Sequence, residues 1–308
     1  MDLYVSLGPA GDMATLKSRI ARLDDLGVRG AFVSDHLFVT VSRDRAAAYR
    51  PDDPFIVLAT VAALSPRLGL GTLVANVGLL HPALILRHFA QLASLVGGER
   101  VLAGIGAGWN TEEFEALGMP MPPHAARLDR LEESCRLARA LFDQGMASID
   151  GDAVVARELP FSPRPPTPPR LMLGGGSDRL LDIAGKYADF LDLNGSSRRQ
   201  RLRRVRPLRD DLARRAATTV NDLVVSATRV RSVAKEADRP SPRLSVTVNT
   251  VAIDGTADPA TADCPYVLSG DAGRLREALA ERAERIGLDA IIVPENTDLE
   301  RLRRHVMR

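Results

Sequence analysis

Short aliphatic runs alternate with longer amphipathic stretches along the whole chain. "LYVSL" (3–7) has the length and composition of a strand, and "DMATLKSRIARLDDLG" follows with Leu16, Ile20, Leu23 and Leu26 at helical spacing before Gly27. "GAFVSDH" predicts a second strand and "DPFIVLATVAALS" a helix with Pro54 in its first turn. "RLGLGTLVAN" and "RVLAGIGAG" predict strands three and four, with the helix "HPALILRHFAQLASLVGG" between them. A helix over 127–142 places Leu128, Leu131, Cys135, Ala138 and Leu141 on one face, and the proline-rich 160–170 reads as an extended surface connection. "LMLGGGS", "ADFLDLNG", "RLSVTVNTVAI" (243–253) and "LDAIIVP" predict strands five to eight. Helices are expected from about Asp178, over 274–287 and over 298–307.

The strand runs are apolar at successive positions, the pattern of parallel strands covered on both faces. Roughly eight strand–helix units in one chain favour an α/β fold of the (β/α)8 TIM-barrel type, one domain over 1–308, above a doubly wound sheet.

Composition narrows the classes. The 308 residues carry a net charge of only +2, which argues against a general nucleic-acid binder. Of the 41 basic residues three are lysine (Lys17, Lys186, Lys235), a bias that a GC-rich genome produces. Cys135 and Cys264 lie far apart with no CxxC, so neither a metal site nor a disulfide framework is expected. With no basic leader and no apolar run of membrane-spanning length, the expectation is a soluble, reduced, cytoplasmic protein that engages no membrane.

Candidate chemistry gathers at predicted strand ends. "GIGAGWN" falls short of G-x-G-x-x-G because Asn110 stands where a glycine would, and it follows the fourth strand rather than the first. At the C-terminal end of a barrel strand, Gly104, Gly106 and Gly108 admit two readings: a flat ligand lying on bare backbone, or close packing and a turn. "SDH" sets Asp35 beside His36 at the end of strand two, a place for chemistry, although a loop histidine also serves as an ordinary surface residue. "GGGS" (174–177) is either a phosphate cradle at a helix start or a flexible turn.

Taken in order, "VSDHL", "LGLGTLVAN…HP", "RVLAGIGAGWNTEEFEALG", the "RLDRLEE" helix and "PRLMLGGGSDRLLDIAGKYADFLDLNG" resemble the bacterial-luciferase-like flavin and deazaflavin oxidoreductases, over most of residues 1–195 and more weakly beyond. The resemblance implies a TIM barrel that binds the deazaflavin F420, or alternatively FMN, at its C-terminal face. It implies a backbone bulge after strand three at Leu73, Val74 and Ala75, with a non-prolyl cis peptide at Leu73–Val74 under the ring. Asp35 and His36 match an acid–histidine pair with His36 nearest the reactive ring carbon, and Gly108 matches a ring-lining position. Gly175, Gly176 and Ser177 match the loop that meets the phosphate or sugar-alcohol chain. A homodimer acting on a small molecule goes with the resemblance, as does a separate reductase if the cofactor is FMN. The sugar-phosphate dehydrogenase branch carries a glutamate directly after "GxG"; Trp109 stands there instead, leaving Glu112 or Glu113 as substitutes.

Under this reading His36 is the catalytic proton donor or acceptor, an imidazole having an ordinary pKa of about 6.5. Asp35 binds cofactor hydroxyls or a ring nitrogen, or else caps the following loop. Trp109 stacks on ligand or packs the barrel mouth. The loop 37–53, with Phe38 and Tyr49, forms a substrate-side wall or lid. The basic stretch 196–215 is a solvated helix face, or its Arg198 and Arg199 meet an anionic cofactor tail.

Overall fold

The computed structural model describes residues 1–39, 51–195, 218–255 and 263–307. The chain opens with β1 (Asp2–Ser6), α1 (Met13–Asp25), β2 (Gly30–Val33), α2 (Pro54–Leu64), β3 (Gly69–Thr72) and β4 (Ala75–Asn76). It continues through α3 (Pro82–Val96), β5 (Val101–Gly106), α4 (Thr111–Ala116), α5 (His124–Arg139), β6 (Met146–Asp150), β7 (Val155–Pro160) and β8 (Arg170–Gly175). The remainder is α6 (Asp178–Tyr187), β9 (Phe190–Leu193), α7 (Val220–Glu236), β10 (Arg243–Thr247), β11 (Thr250–Ile253), β12 (Val267–Gly270), α8 (Ala272–Ile286), β13 (Ala290–Pro294) and the short closing α9 (Leu299–Arg301), which runs into a π turn over Leu302–Val306.

The fold is the expected (β/α)8 barrel. Strand order in the main sheet is β3-β2-β1-β13-β10-β9-β8-β5-β4, and β3 also pairs with β5. The registered pairs of this sheet are parallel. β2, β5 and β9 are buried at every position, which is why their sequences are continuous rather than alternating.

The described residues group into two compact units, one of Met1–Gly8, Asp25–Arg29 and Gly174–Arg308, the other of Pro9–Asp24 and Gly30–Leu173. In the first, β13 pairs with β1 and β10, and β10 with β9. Its core includes Tyr4 edge-on to Phe190 and a buried Asp192 that accepts from Ser245 and Thr247 hydroxyls. In the second, β2, β3, β5 and β8 pair in turn.

Four expectations change in detail. Strand two stops at Val33, before the "SDH" it was expected to include. The third predicted strand breaks into β3 and β4, and 243–253 divides into β10 and β11, the latter paired with β12. The 127–142 helix starts at His124 and ends at Arg139, passing into a wider π turn that Gly145 closes in the left-handed conformation. The hairpin β6–β7 and helix α7 were not anticipated, yet both left local signals. β6 alternates exposed and buried residues before a Gly151–Asp152 turn, and Thr219 with Asp222 forms a capping box at the start of α7.

Candidate functional site

The end of β5 and the break between β3 and β4 form one structure. Leu70 and Gly71 pair with Val101 and Leu102, whereas Ala75 and Asn76 pair with Ile105 and Gly106. Three residues (Thr72, Leu73, Val74) therefore oppose two (Ala103, Gly104), which is a β-bulge. The Leu73–Val74 peptide is cis, at the bond the sequence reading selected. Thr72 secures the bulge: its hydroxyl donates to the Gly104 carbonyl at 2.5 Å and accepts from Ala75 N–H at 3.2 Å.

Alternate residues of β5 and its extension face this bulge. A Cβ at Gly104 would collide with the Thr72 carbonyl, and one at Gly106 with the Val74 side chain. At Gly108 a Cβ would stand 2.5 Å from Asn76 Oδ1, and the φ of +73° also favours glycine. The three glycines thus serve close packing, and the space of their missing side chains is filled by protein. Leu73 and Val74 are half-buried, while Ala75 is fully buried in β4 and offers a ligand no side-chain surface.

His36 lies beyond β2 and meets the helix that follows β5. Its Nδ1 is 3.1 and 3.2 Å from the two carboxylate oxygens of Glu113, which also accept the Leu37 N–H at 2.6 Å. Glu113 is 1% exposed and His36 half-buried, so a carboxyl group out of water holds one ring nitrogen. Of the two candidate glutamates, Glu113 is therefore the partner and Glu112 is not. Trp109 sets its ring edge-on to His36 with centroids 5.4 Å apart, yet is 57% exposed. Of the two readings for Trp109, packing the barrel mouth explains little of that exposed surface.

Asp35 accepts the Asn76 N–H at 2.8 Å, and its second oxygen has no hydrogen-bond partner among the described residues. Burial pushes its carboxyl above the ordinary range, opposed by the Asn76 hydrogen bond and the charge of His36, and reinforced by Asp53 and Glu113. Asp35 is thus tied to the far side of the bulge.

One polar face of α5 holds the surrounding loops. Arg127 donates to the carbonyls of Gly108 and Pro122; Arg130 donates to those of Val77, Leu80 and Ala153. Glu133 accepts the N–H groups of Asp152, Ala153 and Val154 at the β6–β7 turn. Read for its apolar stripe, "RLDRLEE" concealed this clamp; Thr72, Asn76, Asn110 and Arg127 were likewise missed. Their signal was polarity beside glycines, but their partners lie too far along the chain to be inferred from spacing.

In the other unit, Gly175 and Gly176 also make close contacts. A Cβ at Gly175 would meet Leu180 and one at Gly176 the Asn194 carbonyl, while Ser177 caps α6 by accepting from Leu180 N–H at 3.4 Å. Asn194 Oδ1 is buried with no partner among the described residues. Phe38 is half-buried and its carbonyl accepts from Asn110 at 2.9 Å. Tyr49, Arg198 and Arg199 lie outside the described residues. A recess lined by Gly11, Met13, Asp53 and Ile56 opens at the N-terminal ends of α1 and α2 and holds none of the predicted site residues.

The luciferase-like monooxygenase profile matches residues 4–264. Pyrimidine monooxygenase RutA of Escherichia coli K12 is 29% identical over 140 residues, 45% of this chain and 36% of that protein, so the match spans about a third of the relative's length. An F420-dependent secondary alcohol dehydrogenase in complex with an F420–acetone adduct superposes with a TM-score of 0.76 at 15% identity, covering 99% of this chain and 98% of that one. Riboflavin lyase RcaE with modified FMN gives 0.75 at 15% identity, covering 100% and 90%. At these identities the likeness establishes the fold, and the two scores do not choose between deazaflavin and flavin.

Proposed function

Because the chain belongs to the luciferase-like monooxygenase family, we propose that it is an F420-dependent oxidoreductase exchanging hydride with a small organic substrate, His36 carrying the proton. The observation that supports this best is the His36–Glu113 pair. A buried carboxylate on Nδ1 orients the imidazole and leaves Nε2 to give or take a proton at a substrate oxygen. The residues present fit such a group. Leu73 and Val74 offer a half-buried apolar platform, with Ala75 contributing backbone, and one Asp35 carboxylate oxygen has no partner among the described residues. Gly108 lines the ring, Gly175, Gly176 and Ser177 take the phosphate or sugar-alcohol chain, and Phe38 and Trp109 face substrate. When bound, F420 supplies a hydride at its C5 carbon, whereas reduced FMN supplies reactivity towards O2.

A second reading is an FMN-dependent monooxygenase fed by a separate reductase, favoured by the 29% identity to a pyrimidine monooxygenase. A homodimer accompanies either reading. Titrating the apo-protein with F420 and separately with FMN, while following the single tryptophan, decides between them. Quenching by F420 alone supports the first reading, and quenching by FMN alone replaces it with the second. Binding of neither by equilibrium dialysis overturns both.

A further inference from the structure

We propose that Asn110 is a positioning residue for His36, acting through the Phe38 carbonyl. The importance of that position rests on the role given to His36 above; the geometry does not. Asn110 is 6% exposed and uses both ends of its carboxamide. Its Oδ1 accepts the Glu112 N–H at 3.2 Å, capping α4, and its Nδ2 donates 2.9 Å to the carbonyl of Phe38, 72 positions earlier. The helix it caps supplies Glu113, which takes the neighbouring His36 ring and Leu37 N–H. Three consecutive residues, 36 to 38, are thus held at ring, amide and carbonyl by two side chains from one short helix. Apolar packing does little for them, since Leu37 is exposed and His36 and Phe38 are only half-buried.

Asparagine suits this position because it offers an acceptor for the cap and a donor for the tether on one short side chain. Aspartate keeps the cap but presents oxygen to the Phe38 carbonyl. Serine caps on a shorter arm, and alanine does neither. Asn110→Asp therefore separates the tether from the helix it starts.

The test needs no substrate. Trp109 lies edge-on to His36 with ring centroids 5.4 Å apart, so the indole ring current shifts the imidazole proton resonances. In NMR spectra at one fixed pH those resonances are assigned by their loss in His36→Gln, and Trp109→Leu gives their unshifted positions. Asn110→Asp is expected to keep the thermal midpoint within about 3 °C while reducing the ring-current shift at least about two-fold, the imidazole having left the indole edge. A full shift in Asn110→Asp overturns the proposal. If Asn110→Asp lowers the midpoint further, Asn110→Ser takes its place under the same criterion. Turnover is not read, so failure of His36 as proton carrier and failure of Asn110 as its tether remain separate results.

Discussion

The glycine-rich ends of β5 and β8 have similar compositions and different surroundings. At β5, Gly104, Gly106 and Gly108 are packed by Thr72, Val74 and Asn76 of a neighbouring bulge. The chain then delivers Trp109, Asn110 and Glu113 onto the segment that carries His36. At β8, Gly175 and Gly176 are packed by Leu180 and the Asn194 main chain, and the next residue, Ser177, caps a helix. At each of these glycines the space of the missing side chain is filled by protein. The first glycine set permits an irregular backbone to approach, whereas the second permits a tight strand-to-helix turn. The polar side chains that follow the first set reach the His36 segment, whereas Ser177 after the second caps its own helix.

The largest effect should come from filling the first set. Gly104→Ala drives a Cβ into the Thr72 carbonyl, which cannot move aside as a flexible side chain would. A loss of more than about 3 kcal/mol is expected, seen as a reduced denaturation midpoint in urea. A midpoint equal to wild type would show that the bulge yields and would weaken the packing account. Next, His36→Ala should leave cofactor affinity within about three-fold and reduce turnover by about 10²–10⁴, measured with whichever cofactor the titration selects. Unchanged turnover would remove the histidine from the mechanism.

Glu113→Gln keeps the shape of the partner and removes its charge, so a smaller loss of about 10- to 100-fold is expected. Glu112→Gln, at the adjacent residue and outside the pair, should have little effect in the same assay. Asp35→Asn tests the electrostatics. Burial raises the Asp35 carboxyl above 3.8, so the folded state holds its proton more tightly than the unfolded state. Wild-type stability therefore falls as pH rises from about 3.8 through the folded value, and then levels off. The advantage of Asp35→Asn should grow across that window and vanish below it, in paired thermal melts. The smallest effect belongs to the β8 end. Ser177→Ala removes one long cap bond and should cost about 0.5–1 kcal/mol, read as a small fall in the thermal midpoint.

Much of this molecule was legible along the chain. Helix starts announced themselves at Asp53 and Ser177, each of which caps its helix as a local pattern would have it, whereas the helix expected from 274 starts two residues earlier behind its cap Asp271. The buried parallel strands showed in uninterrupted aliphatic runs. Even the cis bond at Leu73–Val74 lay where the ordered motifs pointed. The glycines of "GIGAG" were visible, but their purpose was not, because the atoms that fill their missing side chains stand some 32 positions earlier.

The limits have one physical cause. Period, capping and turn chemistry depend on residues within a few positions of one another, so the sequence by itself determined the strand–helix alternation, the fold class and a short set of candidate residues. Which residues meet depends on strand order and register. Only the tertiary structure decided that Glu113 rather than Glu112 faces His36 across 77 positions, that Asn76 carries Asp35, and that α5 clamps the loops around them. A one-residue bulge between β3 and β4 set that register, and no local pattern encodes the neighbour against which a bulge forms.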